Sequence, residues 1–169
     1  PTRSWDEQVY STPNGFPKTA KFHQQRLFFG GGSSLPDFLA GSKTADFFNF
    51  DVGEAQDTDS IQINISSDRI NEIRHIISGK NLEILTSTGE FYLKPQVGKP
   101  LTPVDLQIIR QSNLGCSLSP MPRIFDGAGL FVQNNGKNVR EYFFNSAVEE
   151  YTPTLINTLS PQAISNPTD

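Results

Sequence analysis

Apolar positions in this chain come in short runs, set off by clusters of glycine, proline, serine and asparagine. Ile61, Ile63 and Ile65 alternate with Gln62 and Asn64, the period of two expected of a half-buried strand. Upstream, residues 1–19 read as an irregular lead-in punctuated by Pro13, Asn14-Gly15 and Pro17. Lys21 to Phe29, KFHQQRLFF, reads as one strand ending in Gly30-Gly31-Gly32. Phe22, Leu27 and Phe29 break strict parity, which predicts a bulge or a short strand. Phe38-Leu39-Ala40 and the aromatic run Phe47-Phe48-Asn49-Phe50 follow, and apolar pieces separated by turn clusters predict a β-meander. Residues 51–60, DVGEAQDTDS, read as a solvated acidic loop.

The stretch 67–78, SDRINEIRHIIS, fits two periods. Ile70, Ile73, Ile76 and Ile77 make a helical stripe that Ser67 could cap, whereas Ile73, His75 and Ile77 alternate as in a strand. The density of β-branched isoleucine favours a turn at 67–71 and a strand at 72–78. Gly79-Lys80-Asn81 closes that strand. Leu82 to Leu85 and Phe91 to Leu93 then flank a turn with Gly89, predicting a hairpin with positive φ at that glycine. Pro95, Pro100 and Pro103 make an extended connector, Asp105 to Arg110 a further strand, and residues 115–122 a loop. Gly129 to Val132 and Val139 to Phe144 flank a turn with Gly136, a second such hairpin, and the tail 152–169 reads as irregular.

Three segments repeat one plan, a short apolar strand, a polar Gly-containing turn, then a strand with aromatics. They begin at Arg26, Asn81 and Gly129, roughly 50 residues apart, the spacing of β-propeller blades. The expected fold class is therefore all-β, a single β-rich region over 1–169 built of antiparallel meander units of propeller type. Blade-like units are expected near 20–50, 61–95 and 104–145. An ordinary antiparallel sandwich would also contain such hairpins. Leu27, Phe29, Ile84, Phe91, Phe131 and Phe143 are the expected inner positions. Three units make an incomplete ring, so terminal strand edges should pair with other chains or be covered by the Pro-rich segments 95–103 and 152–167.

Composition narrows the chemistry. In 169 residues, 36% are apolar and 13 are Phe, so a core must be rich in aromatics, each removing roughly 150–250 Å² from water when buried. The net charge of −4, without a basic run, argues against a protein held to nucleic acid by phosphate neutralisation. Cys116 is the only cysteine, so no disulfide forms within the chain, and with His23 and His75 it cannot build a zinc cage. No run reaches the 18 or so apolar residues of a membrane-spanning helix. The start, Pro1 to Trp5, lacks the apolar core of a signal peptide, and an opening on Pro1 without Met reads as a processed or excised piece.

Candidate motifs favour bland readings. Gly30 to Ser34, followed by Gly41-Ser42-Lys43-Thr44, lacks the spacing and helix of a phosphate-binding loop. Asp57 and Asp59 lack the remaining ligands of a calcium loop. Glu149-Glu150 should point to opposite faces of a strand, and Glu83 and Glu90 read as exposed cross-strand groups rather than a glycosidase pair. Nothing in the sequence places His75 beside Cys116, and there is no nucleophile elbow. No catalytic, cofactor-binding or metal-binding residue is assigned. The aromatic pairs Phe28-Phe29 and Phe47-Phe48 and the run Tyr142-Phe143-Phe144 put rings on both faces of their strands. That implies sheets stacked on both sides or a face that meets a partner.

One resemblance organises these words. Gly15-Phe16-Pro17, then Phe22 to Gly31 with its QRL strand, then Gly41 to Phe50 with its S-x-x-x-D-aromatic-x-N-F pattern, are similar to the tail nozzle, or tail tubular protein B, family of short-tailed bacteriophages. Leu82 to Glu90 resembles that family's L-x-x-x-T-x-x-G-E hairpin, and Leu101-Thr102-Pro103 and Gly129 to Arg140 follow in the same order, over about residues 13–145. The resemblance implies a fragment of a longer propeller-bearing chain. It also implies a virion tail protein made in the host cytoplasm, without enzymatic activity or cofactor. Its partners would be identical subunits in a ring and other tail proteins, with DNA passing through and not tightly bound. Two rival classes are a carbohydrate- or receptor-binding β module with exposed aromatic platforms, and a small hydrolase, which the poverty of histidine and nucleophile motifs disfavours.

Overall fold

A computed structural model describes residues 9–54, 56–65, 70–159 and 167. The chain is all-β: twelve strands form three four-stranded antiparallel sheets, and no helix occurs among the described residues. The first sheet contains β1 (Thr19–His23), β2 (Arg26–Gly30), β3 (Phe38–Gly41) and β4 (Ile61–Asn64). The second contains β5 (Ile73–Ser78), β6 (Leu82–Thr86), β7 (Glu90–Lys94) and β8 (Gln107–Ser112). The third contains β9 (Arg123–Phe125), β10 (Ala128–Val132), β11 (Val139–Asn145) and β12 (Glu150–Leu155). Each sheet pairs its strands in chain order.

The units divide differently from the expected 20–50, 61–95 and 104–145. The strand at Ile61 closes the first sheet, in register with β3 (Gly41 opposite Ile61), and does not open the second. Likewise β8 closes the second sheet against β7. The run Phe47 to Phe50 is not a strand; it folds over the first sheet, with Phe47 edge-on to Phe22 at 5.1 Å and Phe50 stacked on Phe29 at 5.4 Å. The tail is regular as far as Leu155, because β12 pairs with β11. Pro153 is tolerated there since an edge strand needs no N–H on its open side.

KFHQQRLFF is two strands, not one. Gln24 and Gln25 have φ of 44° and 59°, and His23 pairs with Arg26 across them. This is the two-residue hairpin connection whose twist matches its strands. Sequence cannot flag it easily, since glycine or asparagine normally fills such positions. The break in parity that suggested a bulge is this turn. The strand expected over 72–78 is present as β5, whereas the turn expected at 67–71 falls largely outside the described residues.

Burial explains the stacking. The middle sheet is apolar on both faces, and alternate residues of β6 and β7 serve two cores. Leu82, Ile84, Phe91 and Leu93 pack with Phe28, Leu39 and Ile61 of the first sheet. Leu85 and Tyr92 pack with Cys116 and with Phe131, Tyr142 and Tyr151 of the third. Of the expected inner positions, Leu27, Ile84, Phe91 and Phe131 are buried. Phe29 is half-buried and Phe143 is 52% exposed, because their neighbours Phe28 and Tyr142 take the faces that meet the middle sheet. Leu101, in the Pro-rich connector, inserts into the first core while its N–H donates to Gln24 Oε1 at 2.8 Å.

Candidate functional site

Two sides of the stack are finished differently. On the first sheet, Leu27, Phe29, Phe38 and Ala40 face away from the middle sheet, as their register opposite the inward residues requires. Tyr10 and Phe50 cover them: Tyr10 lies 6.1 Å from Phe29 and 6.4 Å from Phe38. Leu27, Phe38 and Ala40 are buried. The acidic loop takes part in this cover and is not simply solvated. Arg26, 1% exposed, donates from Nη1 to the carbonyls of Ser42 (2.7 Å) and Asp59 (2.5 Å) and from Nη2 to that of Asp57 (2.7 Å). Asp59 is buried; the Gln56 N–H and the Lys43 ammonium hold its carboxyl below the usual carboxylate range.

The third sheet carries the open face. Inward residues of β11 are Tyr142 and Phe144, so Val139, Glu141 and Phe143 point outward. Across the register, Arg123 and Leu130 lie in one row with Glu141; Phe125 is opposite Ala128, and Phe143 follows the Gly129–Tyr142 pair on β11. A groove of about 570 Å³ lies on this face, lined by Leu118, Met121, Arg123, Leu130, Val132 and Val139. Pro167 also lines it. Phe125 is 72% exposed and Phe143 half that of a free side chain. A smaller cavity of about 370 Å³ lies between Lys94 to Val97 and Val104 to Gln107.

Glu83 and Glu90, expected to be exposed, are both buried. They point toward the third sheet from a middle sheet covered on both faces, a circumstance local alternation does not reveal. The backbone N–H and side-chain NH₂ of Asn81 donate to the Tyr151 hydroxyl (3.3 and 3.4 Å), which neighbours the Glu83 carboxyl, and Glu83 Oε2 is buried without a hydrogen-bond partner. Burial pushes Glu83 up to about 8, with the neighbouring Tyr151 hydroxyl opposing. Glu90 accepts from the Ser112 hydroxyl and the Leu114 N–H, and burial likewise raises it. The two carboxyls are on adjacent strands, Glu83 opposite Tyr92 and Glu90 opposite Leu85, and neither lines either cavity above. Both are buried groups on the face of the middle sheet that meets the third.

Cys116 is fully buried, and burial pushes its thiol up to about 12. His75 turns Nε2 to the carbonyls of Ser117 (3.1 Å) and Leu118 (3.0 Å). That nitrogen therefore carries a proton and cannot take one from the thiol. Glu149 pairs with Lys94 at 3.4 Å, at the start of edge strand β12. Gly30 to Ser34 leads into β3 rather than a helix, and Ser42 Oγ accepts from the Leu27 N–H at 2.9 Å. Among the described residues, no three His, Cys, Asp or Glu side chains are grouped as metal ligands would be. No helix among the described residues is long and apolar enough to cross a membrane.

Sequence reasoning missed the Arg26 clamp and the buried Glu83. Arginine opening an apolar run, RLFFG, is the one local signal of the clamp. Glu83 has none, because LEILT alternates as a half-exposed strand would. No family model and no curated protein matches the chain.

Proposed function

We propose that the chain is a structural module of a virion tail, a propeller-type segment of a tail nozzle that assembles through its surfaces and lets DNA pass without holding it. The observation that carries this reading is the stacking order. Each sheet runs through its four strands in chain order, and successive sheets meet first strand to first strand (β1 with β5) and last to last (β8 with β12). Propeller blades repeat in this way about an axis. Three units leave a ring incomplete, in keeping with a segment of a larger assembly. The similarity of Phe22 to Gly31 and of Leu82 to Glu90 to tail-nozzle words supports the same reading. So does a net charge of −4, which repels rather than captures phosphate.

The test is immuno-electron microscopy of virions produced from the genome that encodes the chain, with antibody raised against it. Label confined to the tail supports the proposal; particles that lack the chain overturn it. A second reading, a glycan- or receptor-binding module, is favoured by the exposed rings of Phe48 and Phe125, since sugars stack on such platforms. Binding on a glycan array that Phe48→Ala or Phe125→Ala abolishes would select it.

A further inference from the structure

The open face of the third sheet has a charge pattern that matches itself. Arg123, Leu130 and Glu141 lie side by side in register on β9, β10 and β11, a cation and an anion flanking an apolar centre. On one side of this row Phe125 is opposite Ala128, with Phe143 one residue past the Gly129–Tyr142 pair; on the other Val132 is opposite Val139, and Ala128 and Val132 are themselves buried. Arg123 and Phe125 are exposed, Phe143 is largely so, and Glu141 and Leu130 are half-buried.

We propose that this face is a dimer interface occupied by a second copy of the chain. A two-fold axis running along β10, between two such faces, lays β9 of one copy over β11 of the other. Arg123 then meets Glu141 of the partner subunit and Phe125 meets Phe143 of the partner subunit, while Leu130 packs on its own equivalent. Strands of the two sheets run nearly aligned, one of the two ordinary ways in which sheets stack, and an isologous contact must be self-complementary in this sense. Moving the axis to lie between β10 and β11 would set Leu130 against the Glu141 carboxylate, so the charges select one register. A uniformly acidic or basic partner would leave Arg123 or Glu141 facing its own sign. Because Tyr10 and Phe50 already cover the far side of the stack, association through this face stops at two. The inference does not rest on the tail reading, and a second copy on this face takes the place that a further blade would occupy.

The experiment is sedimentation equilibrium of the full chain from about 1 to 200 μM, with Arg123→Glu, Glu141→Arg and the double exchange. Circular dichroism melts establish that each variant is folded; both substituted positions lie on the outward face of the third sheet. The expected result is a dimer that either single reversal weakens by at least about tenfold, since like charges then meet twice across the axis, and that the double exchange restores. A parent chain that stays monomeric at the highest concentration overturns the proposal and leaves the face to another sheet of a longer polypeptide. A dimer indifferent to the single reversals overturns it in favour of another surface. Weakening that the double exchange fails to relieve overturns the proposed register.

Discussion

Tyr151, on β12, stands beside the carboxyl of Glu83 in the middle sheet, and Glu83 Oε2 is buried there without a hydrogen-bond partner, on the face toward the core between the second and third sheets. Tyr151 also stacks on Tyr142 at 4.8 Å and meets Tyr92 at 5.2 Å, so the carboxyl is set among rings. Such surroundings favour the neutral acid over the carboxylate.

Stability should therefore fall as pH rises through this window. Glu83 goes from 4.5 unfolded to about 8 folded, so the native state binds the extra proton between those values. Its contribution is fully present below about pH 4.5 and is lost by about pH 8, a change on the order of a few kcal/mol. Glu90, also raised, acts in the same sense. His23 and His75, held below 6.5 by burial, act in the opposite sense as pH falls. The comparison must accordingly be with Glu83→Gln. Urea unfolding at pH 5 and pH 8.5 should show a smaller loss on alkalinisation for Glu83→Gln than for the parent. Equal losses would mean that Glu83 is ionised in the core or exposed.

Arg26 should be the most sensitive charged position. Its guanidinium satisfies three carbonyls of two separate loop segments. Arg26→Ala strands those acceptors and should lower stability by roughly 3 kcal/mol or more. Arg26→Lys should rescue little, because an ammonium lacks the planar fork. Hydrogen exchange should quicken across residues 42–60 in both variants, and unchanged protection there would rule out the clamp.

Neighbouring aromatics should differ sharply in their cost. Phe131 is 2% exposed and meets Tyr142 edge-on at 6.1 Å, so Phe131→Ala should cost about 3–5 kcal/mol. Phe143→Ala, at an outward position, should change monomer stability by no more than about 0.5 kcal/mol. Chemical denaturation at low micromolar concentration separates the two, and equal costs would contradict the assigned faces of β11.

Gly89 and Gly136 should resist substitution for different reasons. Gly136 has φ of +69°, as its turn predicts, and alanine there should cost about 1 kcal/mol or more from backbone strain. Gly89 is not among the glycines of positive φ, contrary to the expectation from its turn. A Cβ on it would instead lie 2.6 Å from the Ser112 carbonyl oxygen on β8. Gly89→Ala should therefore force β7 and β8 apart, costing on the order of 1–3 kcal/mol, with faster exchange of the β8 amides. Undisturbed β8 protection would show that the contact yields freely.

By itself the sequence determined that this protein is all-β and where most strands lie, since alternation and turn residues are local properties. Ile61 to Asn64, Leu82 to Leu85 and Val139 to Phe144 form strands because their side-chain period and flanking turns leave little else for the backbone to do. Which sheet a strand joins was decided in three dimensions: Ile61 opposes Gly41 rather than the next unit because pairing depends on which neighbour is free, and no residue on the strand records that. The hairpin at Gln24-Gln25 lay beyond local signals because pairing on either side compels a backbone that glutamine rarely adopts. Burial of Glu83, Glu90 and Arg26 was decided by layers arriving from distant parts of the chain. A covered face desolvates whatever polar group it meets, and local alternation carries no trace of a second layer. The open face of the third sheet is the same effect reversed. Phe125 and Phe143 have a sequence character suited to a core, and only the tertiary arrangement leaves them without one.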